Sequence, residues 1–218
     1  MTDQATPSRA KGSRPKKQAK PAVRKQYAVG VKRREEILQA ALEVFSVQGY
    51  RGAPMADVAA KVGLTLAGVL HYYSSKEELL AAVLRRRDQG LTPWFEKTWK
   101  ETGSFSQSVR ELMVHNMSAP VELQLFVTMS AEATDPSHPS HTYFLERYRR
   151  SRRHFTEVLE EAKERGEIDP DASGPALVAV LDGLQMQWLL ERSFDLLGEL
   201  DRHLASIACT STEGSLDA

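Results

Sequence analysis

Long apolar runs are missing from the chain. No stretch of 18 residues in the 218 is continuously hydrophobic, and the basic N-terminus lacks the apolar segment of a secretory leader, so neither a membrane span nor a signal peptide is expected. A cytoplasmic location follows by default. Cysteine is nearly absent: Cys209 stands alone, which excludes an internal disulfide framework and a cysteine-rich metal cluster, and it reads as a small buried hydrophobe. Catalytic signatures are missing too. There is no G-x-S-x-G elbow, P-loop, G-x-G-x-x-G turn or H-E-x-x-H helix, so neither an enzyme nor a bound cofactor is expected. The pair His138 and His141 has no third ligand beside it, so no metal site is expected either.

Net charge is zero, with 29 basic and 29 acidic residues, yet the two signs are segregated. Residues 1–34 hold eleven Lys or Arg against the single acid Asp3, which leaves the remainder net acidic. The first 26 residues carry three prolines and few large apolar groups, too little to offset ordering entropy. Residues 1–30 are therefore expected to form an unordered basic arm suited to a polyanion.

From residue 31 the hydrophobic spacing is helical almost throughout. Ile37, Ala40, Ala41, Val44 and Phe45 make one amphipathic stripe, ending near Gln48 with Gly49 as the terminating residue. A short helix starts at Ala53-Pro54 and buries Met55, Val58, Ala59 and Val62. Gly63 stops it, and Thr65 caps another short helix running to His71 or Tyr72. Two short helices across a glycine turn form a helix-turn-helix. In that register Leu66, Ala67, Gly68, His71 and Tyr72 face outward, while Val69, Leu70 and Tyr73 point to the first helix. Slim residues at 66–68 let the backbone approach base edges, and the polar tips of His71 and Tyr72 suit phosphate oxygens. Ser75 and Glu78 form a capping box for the next helix, with Lys76 placed to meet a phosphate.

The segment Arg34 to Leu84, "REEILQAALEVFSVQGYRGAPMADVAAKVGLTLAGVLHYYSSKEELLAAVL", resembles the N-terminal domain of the TetR family of bacterial transcriptional repressors. The order helix, "GY", short helix, "GLT", recognition helix, "YYSSKEELL" carries the likeness. It implies a homodimer that binds double-stranded operator DNA through Thr65, Leu66, Ala67, Gly68, His71, Tyr72 and Lys76. A small effector in the C-terminal domain then releases the DNA. Ala53-Pro54 stands where the family commonly has a hydroxyl pair, and Arg51 and Gly52 are expected to substitute through charge and backbone. The rival reading is an effector-independent architectural DNA-binding protein.

The remaining chain reads as further helices, making the fold all-α. The expected division is a helix-turn-helix domain over 31–76, a helical effector-binding and dimerisation domain over 77–209, and a flexible tail over 210–218. Pro93, after Gly90, is expected to kink or break the fourth helix. The arginines around 147–153 alternate with acids and read as a solvated face. Large residues converging from several helices, namely Trp94, Phe95, Trp99, Met113, Met117, Phe126, Met129, Phe144 and Trp188, are the candidate wall of a pocket for an apolar or aromatic effector, with His115, Asn116, Glu132 and Gln185 as polar contacts. The apolar stripes of the last two helices, Leu177, Val180, Leu181, Leu184, Trp188, Leu200, Leu204 and Ile207, fit the four-helix dimer bundle that the resemblance implies.

Overall fold

The computed structural model describes residues 21–209, with side chains from residue 29; the basic arm over 1–20 and the tail over 210–218 lie outside the described residues. Nine helices occur among the described residues: α1 (Pro21–Gly52), α2 (Met55–Lys61), α3 (Leu66–Leu70), α4 (Lys76–Thr102), α5 (Phe105–Ser118), α6 (Pro120–Glu132), α7 (His141–Glu164), α8 (Gly174–Leu190) and α9 (Leu196–Ser206). The backbone is helical ten residues earlier than the arm reading allowed. Pro21 suits a first helical turn, and Ala22, Arg24, Lys25, Gln26 and Ala28 are strong helix formers with no breaker among them.

Helix α1 buries the expected stripe of Ile37, Ala40, Ala41, Val44 and Phe45. It is interrupted at Gly49, whose φ of 70° and ψ of 159° lie in a region closed to residues with a Cβ. The kink turns Tyr50 inward and sends the chain to Ala53, which is fully buried. Helices α2 and α3 then close over α1 through Val58, Ala59, Val69 and Tyr73.

Helix α4 is continuous, so Pro93 does not break it. Its missing N–H leaves one carbonyl, that of Gln89, without a helical donor. Gln89 and Gly90 are exposed there, so water can take the bond. The first half of α4 packs Leu79, Leu80, Val83 and Leu84 into the core of α1–α3, while Phe95 and Trp99 enter a second core with α5, α7, α8 and α9. Leu125, Phe126, Met129 and Phe144 from α6 and α7 also join the first core. A boundary between residues 76 and 77 therefore falls at the start of a helix that two cores share, and the described residues from 36 to 209 fall in one compact unit.

Cys209 is exposed rather than buried. It sits beyond α9, where the backbone pairs with the α7–α8 loop: Cys209 N–H donates to the Glu167 carbonyl at 3.1 Å, beside an Ile168–Ala208 bridge. That pairing holds the backbone and leaves the thiol outside.

Gly49 and Gly90 make opposite predictions. Gly49→Ala should lower the unfolding free energy by roughly 1–3 kcal/mol, the strain of holding a Cβ at that φ and ψ. Gly90→Ala should raise it by roughly 0.5–1 kcal/mol, because Gly90 lies inside a helix and a Cβ there meets nothing within 4 Å. Urea denaturation of both variants checks the pair, and equal shifts would contradict the assigned backbone.

Candidate nucleic-acid interface and ligand cavity

The turn between α2 and α3 is built by Gly63, at φ 66°, and by Leu64, whose N–H donates to the Ala59 carbonyl at 2.9 Å. Thr65 caps α3: its Oγ1 accepts from the Gly68 N–H at 3.1 Å. Val69 and Tyr73 anchor the helix in the core, while Leu66, Ala67 and His71 are exposed, as the register predicted. Three positions differ. Leu70 points outward, at 40% exposure, because it lies about 100° around the helix from buried Val69. Gly68 is half-buried rather than open: a Cβ there would meet the Leu64 side chain and Thr65 Oγ1 at 3.4 Å, an ordinary contact distance. Tyr72 is half-buried against the core, with His71 edge-on at 5.4 Å.

Lys76 is already engaged. Its Nζ donates to the Arg51 carbonyl at 3.3 Å and lies 4.7 Å from the centre of the Tyr50 ring, which brings the predicted Arg51, Gly52 and Lys76 to one edge. Tyr50 in turn donates to Glu77 Oε1 at 3.1 Å, and burial followed by the Glu77 charge holds its hydroxyl well above the usual tyrosine range. The capping box is shifted by one residue. Ser75 Oγ accepts from the Glu78 N–H, but the Glu78 carboxylate takes the Ser74 N–H at 2.7 Å and the Ser74 hydroxyl at 2.6 Å.

His138 and His141 organise the α6–α7 turn. His138 Nδ1 accepts from the Ser140 N–H at 3.2 Å, its Nε2 lies 3.4 Å from Glu132 Oε2 without hydrogen-bond geometry, and its ring meets Tyr50 at 5.7 Å. His141 Nδ1 lies 2.8 Å from the Ala133 carbonyl. Glu132 is thus held at this turn and not at the cavity. Among the described residues no group of three His, Cys, Asp or Glu side chains is placed to share a metal ion.

A cavity of about 830 Å³ opens between α4, α5, α7 and α8, within the size range of small-molecule sites. Of the predicted wall it contains Phe95, Met113, Phe126, Asn116 and Gln185. The other positions are spent elsewhere. Trp94 stacks on exposed His115 at 4.6 Å, Trp99 meets Phe105 and Arg165, and Met117 packs at the edge of the second core. Met129 and Phe144 fill the first core, and Trp188 lies under Arg192 at 3.8 Å.

The charged residues were missed. Arg147, read as part of a solvated face, turns inward: its Nε donates to Asp88 Oδ1 at 2.9 Å and its guanidinium lies 4.1 Å from the Phe126 ring centre. Arg87 lies at 4.3 Å from the same ring. Tyr143 donates to Asp88 Oδ2 at 2.6 Å. Burial, followed by the neighbouring Arg147, pulls the Arg87 pKa down to about 10. Burial likewise raises the Asp182 carboxyl from its ordinary value, against the opposing hydrogen bond from Tyr148, whose own pKa is pushed up to about 12. The one signal in the sequence was spacing: Arg87 and Asp88 fall between Leu84 and Leu91 on the apolar stripe of α4.

The dimer stripe also needs correction. Leu177, Leu181, Leu184, Leu200 and Leu204 are buried in the chain's own second core, where α8 meets α5, α7 and α9, so they are not free for a partner. Val180, Trp188 and Ile207 are half-buried.

Residues 37–83 match the sequence model of the bacterial regulatory proteins of the tetR family. The chain is similar to the HTH-type transcriptional regulator SrpR of Pseudomonas putida, 28% identical over 74% of this chain and 75% of SrpR. It is similar to the HTH-type transcriptional repressor KstR2 of Mycobacterium tuberculosis, 24% identical over 64% of this chain and 70% of that protein. Among solved structures, a TetR transcriptional regulator from Chloroflexus aurantiacus superposes with a TM-score of 0.68 at 18% identity, over 84% of this chain and all of that one, which shows the shared fold.

Asp88 provides a test of the charged wall. Asp88→Asn should lower stability by on the order of 3 kcal/mol, because it leaves two guanidiniums largely desolvated without their anion. Asp182→Asn should do the reverse with pH. A carboxyl whose folded pKa is raised contributes stability below its unfolded pKa and loses it as pH rises through the folded value. The variant should therefore gain on the wild type as pH climbs through and above the carboxylate range. Urea melts at a series of pH values check both signs.

Proposed function

The chain belongs to the TetR family of bacterial regulatory proteins, and on that premise we propose that it is a ligand-responsive repressor, a homodimer that binds a palindromic operator and is released by a small effector. DNA binding and transcription regulation are the family's common ground. The observation that carries the finer reading is α4. This helix begins at Lys76, tied to Arg51 at the end of α1, on which α2 and α3 pack, and one wall of the cavity is built on it: Arg87, Asp88, Leu91 and Phe95. A ligand that shifts α4 thereby shifts the recognition helix. The cavity also favours this reading over an architectural DNA-binding protein, which has no use for one.

Helix α3 offers Thr65, Leu66, Ala67 and His71 to a major groove, with Leu70 as a further apolar contact and Tyr72, Arg51, Gly52 and Lys76 at the phosphate rim. For the dimer, the exposed face of α8 replaces the buried leucines. Ala176, Ala179, Met186 and Leu190 are exposed there, with Gly183 among them open to a close approach. Leu190 is 82% exposed and Met186 47%, an apolar edge that a second copy would cover.

Selection of bound fragments from genomic DNA should return one palindrome, preferred over random duplex by about 10³-fold or more. Tyr72→Ala and Lys76→Ala should weaken binding to all sequences, and the loss of the Lys76 charge alone should lower the salt slope by about 0.9, whereas changes at Leu66 or Ala67 should alter the preferred bases. Unchanged affinity in both phosphate variants would place the recognition surface elsewhere. Met186→Glu combined with Leu190→Glu should convert the dimer to a single-chain species in sedimentation, and a wild type already of one-chain mass would overturn the homodimer.

A further inference from the structure

Within the cavity wall a row of polar side chains runs out one partner short. Gln185 Nε2 donates to the Leu181 carbonyl at 2.8 Å, Asn116 Nδ2 to Gln185 Oε1 at 3.1 Å, and Arg87 Nη2 to Asn116 Oδ1 at 3.2 Å. Every member is satisfied except the last: Arg87 Nη1 is buried with no acceptor. The neighbouring anion is committed, since Asp88 takes Arg147 and Tyr143. A buried guanidinium amine left in this state is costly, and an ionised acceptor is what it lacks.

A second buried atom in the same wall is also unpartnered. His154 Nε2 has no hydrogen bond, and its ring stands edge-on to Phe95 at 5.6 Å. Arg87 and Phe95 are eight residues apart on α4, so their backbone positions lie about 12 Å apart along the helix, and His154 stands beside Phe95 at the far end. Leu91, Met113, Phe155 and Val178 supply apolar wall.

Resting on the reading of this cavity as the effector site, we propose that the effector is an elongated monocarboxylic acid: its carboxylate on Arg87, its apolar body against Met113 and Phe155, and a hydroxyl or carbonyl at its far end on His154. Four guanidiniums, of Arg85, Arg87, Arg147 and Arg150, and three carboxyl groups, of Asp88, Glu146 and Asp182, line the cavity, so one negative charge balances the wall and a phosphate dianion exceeds it. A neutral acceptor would pair Arg87 Nη1 without offsetting its charge, a weaker bond than a carboxylate makes, and a cation would oppose it.

The test uses the full chain without DNA, titrated by calorimetry with decanoate, 10-hydroxydecanoate, methyl decanoate and decyl phosphate. The acid should bind at least tenfold more tightly than its methyl ester, the hydroxy acid more tightly than the acid, and decyl phosphate more weakly than the acid. Arg87→Gln should erase the preference for acid over ester, and His154→Phe should erase only the gain from the hydroxyl. The comparison of acid with ester on the wild type stands even if either variant fails to fold. Equal binding of acid and ester, tighter binding of the phosphate, or binding of none of the four overturns the proposal. Adding operator DNA separates it from the repressor reading: an acid that binds with the predicted order but does not release DNA keeps the ligand class and sinks release.

Discussion

Two guanidinium groups lie against one aromatic ring, and a single carboxylate offsets one of their two charges. Arg87 from α4 and Arg147 from α7 both contact Phe126 of α6, at 4.3 and 4.1 Å from its centre, and Asp88 holds Arg147 while taking the Tyr143 hydroxyl. Cation–π contact stabilises such a group by about 0.5–2 kcal/mol, far less than the cost of removing a guanidinium from water, so the arrangement depends on Asp88. Through it α4, α6 and α7 are fixed to one another where the two cores meet. Phe126 belongs to the first core and also lines the cavity, so the same contact that joins the cores forms a wall of the site.

That junction gives α4 its role. A helix of 27 residues transmits displacement along its axis because each turn is tied to the next, and α4 enters both cores without a break at Pro93. At its N-terminus the capping by Ser75 and the Lys76 bond to the Arg51 carbonyl fasten it to the helix-turn-helix. The turn at His138 touches the same region through Tyr50. Under the proposed function, a ligand between α4 and α7 would act on elements that lead towards the helix-turn-helix by two routes, one along α4 and one through the α6–α7 turn.

The DNA-binding half was legible in the sequence because its signals are local. Gly49, Gly63, Thr65 and Ser75 each state a backbone requirement or a cap, and the structure meets them at those residues or one away. The ligand half was legible only in part, for two physical reasons. Large apolar residues mark burial but not what they are buried against, so Leu177, Leu200 and Leu204 read as an interface although they fill their own core. Three of the five positions on the exposed face of α8, Ala176, Ala179 and Gly183, are small, and small residues leave little trace in a hydrophobic pattern. Charge misled in the opposite direction: Arg147 belongs to a run of arginines whose other members are exposed, and nothing local sets it apart from Arg149 or Arg152. Only the position of Asp88, a turn and a half before Pro93 on the buried side of α4, brings it inward.

Arg87 shows why such a residue is retained at a cost. A buried cation with an unfilled donor destabilises the free protein, and a hydrophobic residue of similar shape would be easier to fold around. What it supplies is discrimination. A site built around an unmatched donor rejects ligands without the matching acceptor far more strongly than an apolar pocket rejects one of the wrong size. It also supplies coupling. A ligand shifts a conformational equilibrium only by its difference in affinity for the two states, so a charge-assisted bond made from one helix to a ligand held by the others is sensitive to where that helix stands. Apolar contacts across Met113 and Phe155 fall off gradually as α4 moves, whereas the bond from Arg87 is directional and is lost within a fraction of an ångström to an ångström. On the proposed reading the apolar wall sets how tightly a molecule is held, and Arg87, on the helix that begins beside the DNA-binding surface, decides which arrangement of that helix the bound molecule favours.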